Sequence, residues 1–162
     1  MKKLAFILTL TVFGLLAACG GNVYTMAYNN APDALREVEL ELGEAFEVTE
    51  MAYTEYQMFA MIDVEEEISD HVLYDIVIEV NGETHYVIVL YSYEGLGEDS
   101  FNVVINADVN EHENALEGYE EDLSESAFVE SVEERAPDGD YSYTYESLTG
   151  EFDDEEIDEF LD

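Results

Sequence analysis

Three histidines and 41 acidic residues are the side chains of this 162-residue sequence that could do acid–base or metal chemistry. His71, His85 and His112 lack the i, i+4 spacing that places two metal ligands on one face of a helix. Because carboxylates are so frequent, close acidic pairs must arise by chance, and no pair indicates a catalytic dyad. We therefore assign no catalytic residue, no metal ligand and no cofactor, and we leave open whether the protein is an enzyme.

His85 is the histidine that the strand pattern places near an apolar face, where a structural role is the commoner one. We therefore predict that substitution of His85 changes stability more than binding. A cleft that unites His85, His112 and a carboxylate would instead favour an enzyme over a binding protein.

A stripe of aromatic residues near the C-terminus is a candidate binding surface. Tyr141, Tyr143 and Tyr145 alternate with small polar residues, so a strand would place all three on one face. Phenol rings could present apolar faces and hydroxyl groups to a sugar or to an extended peptide of the cell envelope. The same alternation is typical of any half-buried strand at the edge of a core, which is the simpler interpretation.

The N-terminus combines Lys2 and Lys3 with an apolar run from Leu4 to Ala18. This run is shorter than the roughly 20 residues that a membrane-spanning helix needs, and it has the parts of a secretory signal. It ends in Leu16-Ala17-Ala18-Cys19, which resembles the lipobox of bacterial lipoproteins. The resemblance implies a signal peptide over residues 1–18 and attachment of lipid to Cys19. It also implies an extracytoplasmic location at the cell membrane, or at the outer membrane if the cell has two.

Charge excludes several partners for the chain beyond residue 18. Only Arg36 and Arg135 oppose the 41 acidic residues there. Nucleic acid is excluded because phosphate binding requires Lys or Arg, and an anionic lipid surface would repel the domain, so the lipid anchor must supply the membrane contact. The acidic residues are spread along the whole chain. This favours adaptation to a salty or alkaline exterior, with cations as screening counterions, over specific binding of divalent cations.

Beyond the signal, the sequence predicts a tether, one domain and an end segment. Residues 19–31 suit a flexible tether, residues 32–150 a single α+β domain, and residues 151–162 an acidic tail or short helix. At 48% hydrophobic residues, the chain can bury a core despite its charge. A short helix is predicted from Pro32, at its first turn, to a stop at Gly43.

Residues 46–64 fit either a helix or strands. Val48, Met51 and Phe59 share a helical face, whereas Tyr56, Met58 and Ala60 alternate as in a strand. We favour two strands with a turn near Thr54-Glu55.

Asn81-Gly82 gives the strongest local signal, a hairpin over residues 72–93. Its register would place Val80 opposite Glu83 and Ile78 opposite His85. A half-buried strand is predicted over Phe101–Val109.

Residues 114–135 show helical spacing and predict two short helices, with Ser124 capping the second, or one bent helix. The sequence therefore predicts an α+β fold, an antiparallel sheet with one or two helices packed on one face. The expected function is a lipid-anchored, non-enzymatic binding module for an envelope polymer or protein. The alternatives are an acidic surface protein that holds divalent cations, and an enzyme or enzyme inhibitor.

Overall fold

The computed structural model describes residues 25–95, 99–136 and 139–162, which form helices and antiparallel strands. In chain order they are α1 (Met26–Leu42), β1 (Glu47–Ile62), β2 (Glu65–Val80), β3 (Glu83–Tyr93), β4 (Ser100–Asn106), α2 (Val109–Asp122), α3 (Glu125–Arg135), β5 (Tyr141–Glu151) and α4 (Asp154–Leu161). The α+β class predicted from sequence is confirmed.

The five strands form one antiparallel sheet in the order β4-β3-β2-β1-β5. The predicted hairpin is confirmed with its register, since Val80 lies opposite Glu83 and Ile78 opposite His85. Asn81 and Gly82 have φ values of 54° and 83°, the positive values that a type I′ turn requires at both central positions.

The ambiguous segment is a single strand, β1, with no turn at Thr54-Glu55, so the predicted division into two strands is wrong. The reversal comes later, at Asp63, whose φ is 58°. β1 pairs with β2 on one side and β5 on the other. Pairing on both sides from Ala52 to Ile62 satisfies the backbone through Thr54-Glu55, and this outweighs the polar residues that suggested a turn.

Helix α1 begins at Met26, so the predicted tether, residues 19–31, is too long at its C-terminal end. The three alanines Ala27, Ala31 and Ala34 are fully buried against the sheet. Pro32 therefore lies inside the helix and does not start it, although it lacks the N–H that a helix interior uses. The predicted stop is confirmed, because Gly43 adopts φ 68° and donates its N–H to the Glu39 carbonyl oxygen.

Helices cover both faces of the sheet, where the sequence predicted one or two helices on a single face. We call the face under α1 and α4 the first face and the face under α2 and α3 the second face. The difference arises because the inner strands carry apolar side chains on both sides, such as Ile76 on the first face and Leu73 and Ile88 on the second.

The other helix boundaries follow from capping side chains. Ser124 caps α3 as predicted, by accepting the Ala127 N–H at 3.3 Å. Asp108 caps α2, so the preceding strand β4 ends at Asn106 and not at Val109 as predicted. The segment 151–162 contains helix α4, whose Ile157 and Phe160 are buried in the first-face core, so it belongs to the domain.

Within the part of the chain that the structure describes, no helix is both long and apolar enough to cross a membrane.

Candidate functional site

The tyrosine stripe lies on β5, at one edge of the sheet, beneath α3. Each phenol donates a hydrogen bond to this helix or to the residue that precedes its cap. Tyr141 donates to Glu133 Oε1 at 2.7 Å and Tyr143 to Glu125 Oε1 at 3.3 Å. Tyr145 donates to the Leu123 carbonyl oxygen at 2.8 Å. The hydroxyl groups thus fasten α3 to β5, as expected for the edge of a core.

The pKa values of all three phenols are raised. For Tyr141 the hydrogen bond to Glu133 is the main cause, whereas for Tyr143 and Tyr145 it is burial, assisted by the negative charge of Glu125. The phenols therefore remain protonated at neutral pH and keep donating these hydrogen bonds.

The rings themselves stay partly accessible. Tyr143 is 38% exposed, and its ring is stacked on that of Tyr141 at a centroid distance of 6.5 Å. Beside it, a wide surface cavity of about 700 Å³ is lined by Glu125, Ser126, Val129, Glu130, Glu133 and Tyr143. The stripe predicted from sequence therefore borders an acidic groove, which we call the α3–β5 groove.

The outer edge of β5 carries the backbone groups of the same tyrosines. The β1–β5 register continues at both ends, where Asp63 N–H donates to the Asp140 carbonyl and Phe152 N–H to the Met51 carbonyl. In an antiparallel pair, such hydrogen-bonded positions alternate with positions whose N–H and C=O groups point outward. Tyr141, Tyr143 and Tyr145 fall on the outward positions, and in the described residues no strand lies beyond them.

The three histidines do not converge. His85 lies opposite Ile78, on the first face, where the sequence placed it, and its structural role stays a prediction. His112 is 4% exposed on the second face, and its Nε2 lies 2.8 Å from Asp75 Oδ1. The cleft of His85, His112 and a carboxylate that would favour an enzyme is therefore not formed.

Sequence reasoning missed a hydrogen-bonded chain around His71. Its Nε2 lies 2.8 Å from Ser69 Oγ and its Nδ1 2.9 Å from Ser92 Oγ. Burial lowers the pKa of His71, so its imidazole is neutral at neutral pH. The sequence could have indicated this chain, because the hairpin register places Ser92 directly opposite His71 and Ser69 two residues away on the same face.

A serine and a neutral histidine are the groups of a nucleophile and its base, but acyl transfer also requires donors that converge on an oxyanion. Ser69, His71 and Ser92 are not among the residues that line the α3–β5 groove. Among the residues that the structure describes, no group of three or more His, Cys, Asp or Glu could hold a metal ion. The predicted lipidation residue, Cys19, lies outside the described residues.

Searches against protein-family models, curated proteins and solved structures found nothing that matches this chain.

Proposed function

We propose that this chain is a lipoprotein, held at the extracytoplasmic face of a bacterial membrane through Cys19, and that its folded domain is a non-enzymatic binding module of the cell envelope. The observation that carries the proposal is the sequence Leu16-Ala17-Ala18-Cys19 behind an apolar run, in a chain with one cysteine. Lipid on Cys19 would also remove the unpaired thiol, which is a reactive liability in a secreted protein.

The start of α1 supports an arrangement close to the membrane. Thr25, the first described residue, caps this helix, and five residues lie between it and Cys19 in the sequence. A chain of that length spans at most about 20 Å when fully extended. Because the acidic surface is repelled by anionic headgroups, two acyl chains on Cys19 would be the attractive contact with the bilayer.

Two observations favour binding over catalysis. The described surface cavity borders the tyrosine stripe and not the Ser69–His71 chain. His85 and His112 lie on opposite faces of the sheet. For the acidic surface we propose diffuse cations as screening counterions, since no metal-holding group occurs among the described residues.

Replacement of the anchor residue tests the lipoprotein proposal. We expect Cys19→Ser to abolish incorporation of labelled fatty acid and to leave either an uncleaved precursor or a released protein, measured by membrane fractionation and mass spectrometry. The control Gly21→Ala keeps the cysteine and should be acylated like the parent. A Cys19→Ser protein that is still processed and acylated would contradict the proposal.

A further inference from the structure

The outer edge of β5 differs from the other edge of the sheet. β4 is seven residues long and packs against both α1 and α2, whereas β5 is eleven residues long and packs against α3. An edge strand with outward N–H and C=O groups is a template for an added strand. Short length and cover are two ways in which such an edge is protected, and among the described residues no element covers the outer edge of this eleven-residue strand.

The α3–β5 groove continues this edge on the second face. Its helical residues recur at intervals of three or four, from Glu125 through Val129 to Glu133, and so form one stripe along α3. At 1.5 Å per residue this stripe is about 12 Å long. In a strand, side chains on one face repeat every ~7 Å, so two or three alternate side chains of an added strand fit against the stripe.

We propose that the α3–β5 groove and the outer edge of β5 bind an extended cationic peptide, which adds as a sixth strand and places alternate Lys or Arg side chains against the acidic stripe of α3. The inference rests on the proposed function, a binding module, and names its partner class. The backbone of the tyrosine positions supplies the hydrogen bonds, and the carboxylates of Glu125, Glu130 and Glu133 supply the preference for cations.

Charge complementarity selects this occupant. The stripe contains no cation of its own, because Arg135, at the end of α3, forms an ion pair with Glu67 and donates to the Ser131 carbonyl. The exposed ring of Tyr143 offers a further contact to a cationic side chain through cation–π attraction. A second copy of the chain fits poorly, since pairing two β5 edges antiparallel would place two copies of the acidic stripe of α3 on the same face of the joined sheet.

The test uses the full 162-residue chain in detergent and a short blocked peptide in which lysine alternates with threonine. A control peptide has the same composition with its lysines grouped at one end. Isothermal titration at about 0.15 M salt limits non-specific attraction by the net charge. We expect the alternating peptide to bind at least about tenfold more tightly than the grouped peptide, because only alternation places every lysine on the acidic face.

Two variants locate the peptide. Ser147 occupies an outward backbone position on β5, so Ser147→Pro removes a donor at the free edge and leaves the pairing with β1, whereas Ser147→Ala keeps that donor. Glu130→Lys reverses a charge in the groove, and Glu41→Lys makes the same change in net charge on α1, on the first face. We expect Ser147→Pro and Glu130→Lys each to weaken binding by at least about tenfold and both controls to stay within about twofold.

The proposal is overturned if both peptides bind equally, if Glu130→Lys and Glu41→Lys weaken binding equally, or if the chain forms a dimer that the peptide does not dissociate. Circular dichroism of Ser147→Pro shows whether the variant is folded, and Glu130→Lys decides the matter if it is not. Because the titration does not depend on acylation, loss of peptide binding and loss of the Cys19 anchor are separate results.

Discussion

The two faces of the sheet are each covered by two helices, but they bury different cores. The first face, under α1 and α4, holds the larger cluster, in which Tyr74, Ile76 and Ile78 are fully buried. The second face, under α2 and α3, holds a smaller cluster around Leu73 and Ile88. Its helices contribute only His112 and Val132 as buried residues, whereas α1 alone contributes five.

Among the described residues, each face also buries one side chain of the acid or histidine type, and the two have different partners. Glu55, on the first face, accepts the Ala27 N–H at the N-terminus of α1 at 2.6 Å. His112, on the second face, contacts Asp75 through Nε2, while its Nδ1 and the Asn106 Nδ2 are buried without a partner among the described residues. The first face therefore buries most of the core, whereas the second face carries the tyrosine stripe and the α3–β5 groove.

The largest effect should come from removing the same side chain on each face. Ile76 and Ile88 are both fully buried, on the first and second face respectively. We expect Ile76→Ala to lower the free energy of unfolding by about 4 kcal/mol and Ile88→Ala by about 2 kcal/mol. The loss is smaller for Ile88 because the smaller cluster around it relaxes more easily into the cavity. Urea denaturation measures both values. Equal losses would remove the distinction between the two faces.

The next largest effect concerns Glu55. Glu55→Ala should lower the free energy of unfolding by about 2 kcal/mol, since it leaves the buried Ala27 N–H without an acceptor. Glu55→Gln keeps an acceptor and loses only the favourable charge at the helix N-terminus, so it should cost about 1 kcal/mol. Hydrogen exchange should place the loss of protection in α1. An Ala variant as stable as the parent would show that Glu55 does not fasten α1 to the sheet.

The smallest effect is a pH dependence on the second face. Burial lowers the pKa of His71, so the unfolded chain binds this proton more readily than the folded chain. The contribution of His71 to stability is therefore present above its unfolded pKa, about 6.5, and is lost as the pH falls from that value through the lower pKa of the folded chain.

We expect the difference in unfolding free energy between the parent and His71→Gln to shift, as the pH is lowered from about 8 to about 5, in the direction that favours the variant. The companion variant His85→Gln controls for the loss of an imidazole on the first face. A difference that does not change with pH would contradict the role assigned to burial.

Local signals predicted the parts of this fold that depend on a few neighbouring residues. Asn81-Gly82 set the hairpin and its register, and Ser124 and Gly43 marked helix ends, because turns and caps are decided by the residues that form them. The chemistry of the tyrosine stripe was also visible, although its acceptors were not. With 41 acidic residues, nothing distinguishes Glu125 and Glu133 from any other carboxylate before α3 is placed.

Features that depend on tertiary packing were missed because they are decided by residues distant in sequence. Glu55 reads as one more surface acid, and only the docking of α1 shows that it is buried. Pro32 suggested a helix start because an interior proline is unfavourable, and burial of the alanines on both sides of it reverses that preference. The length of β1 depends on two partner strands distant in sequence.

The contact between α1 and α4 joins the first and last described helices of the chain. Tyr28 donates to Glu159 Oε2 at 2.9 Å, and its ring meets that of Phe160 at 5.0 Å. Tyr28 and Glu159 are 131 residues apart in the chain, so the larger core stays open until residues 154–161 have docked. A chain truncated before Ile157 would expose the aromatic side chains of Tyr28 and Phe152 to water. Docking of the eight-residue helix α4 is thus the step that closes this core.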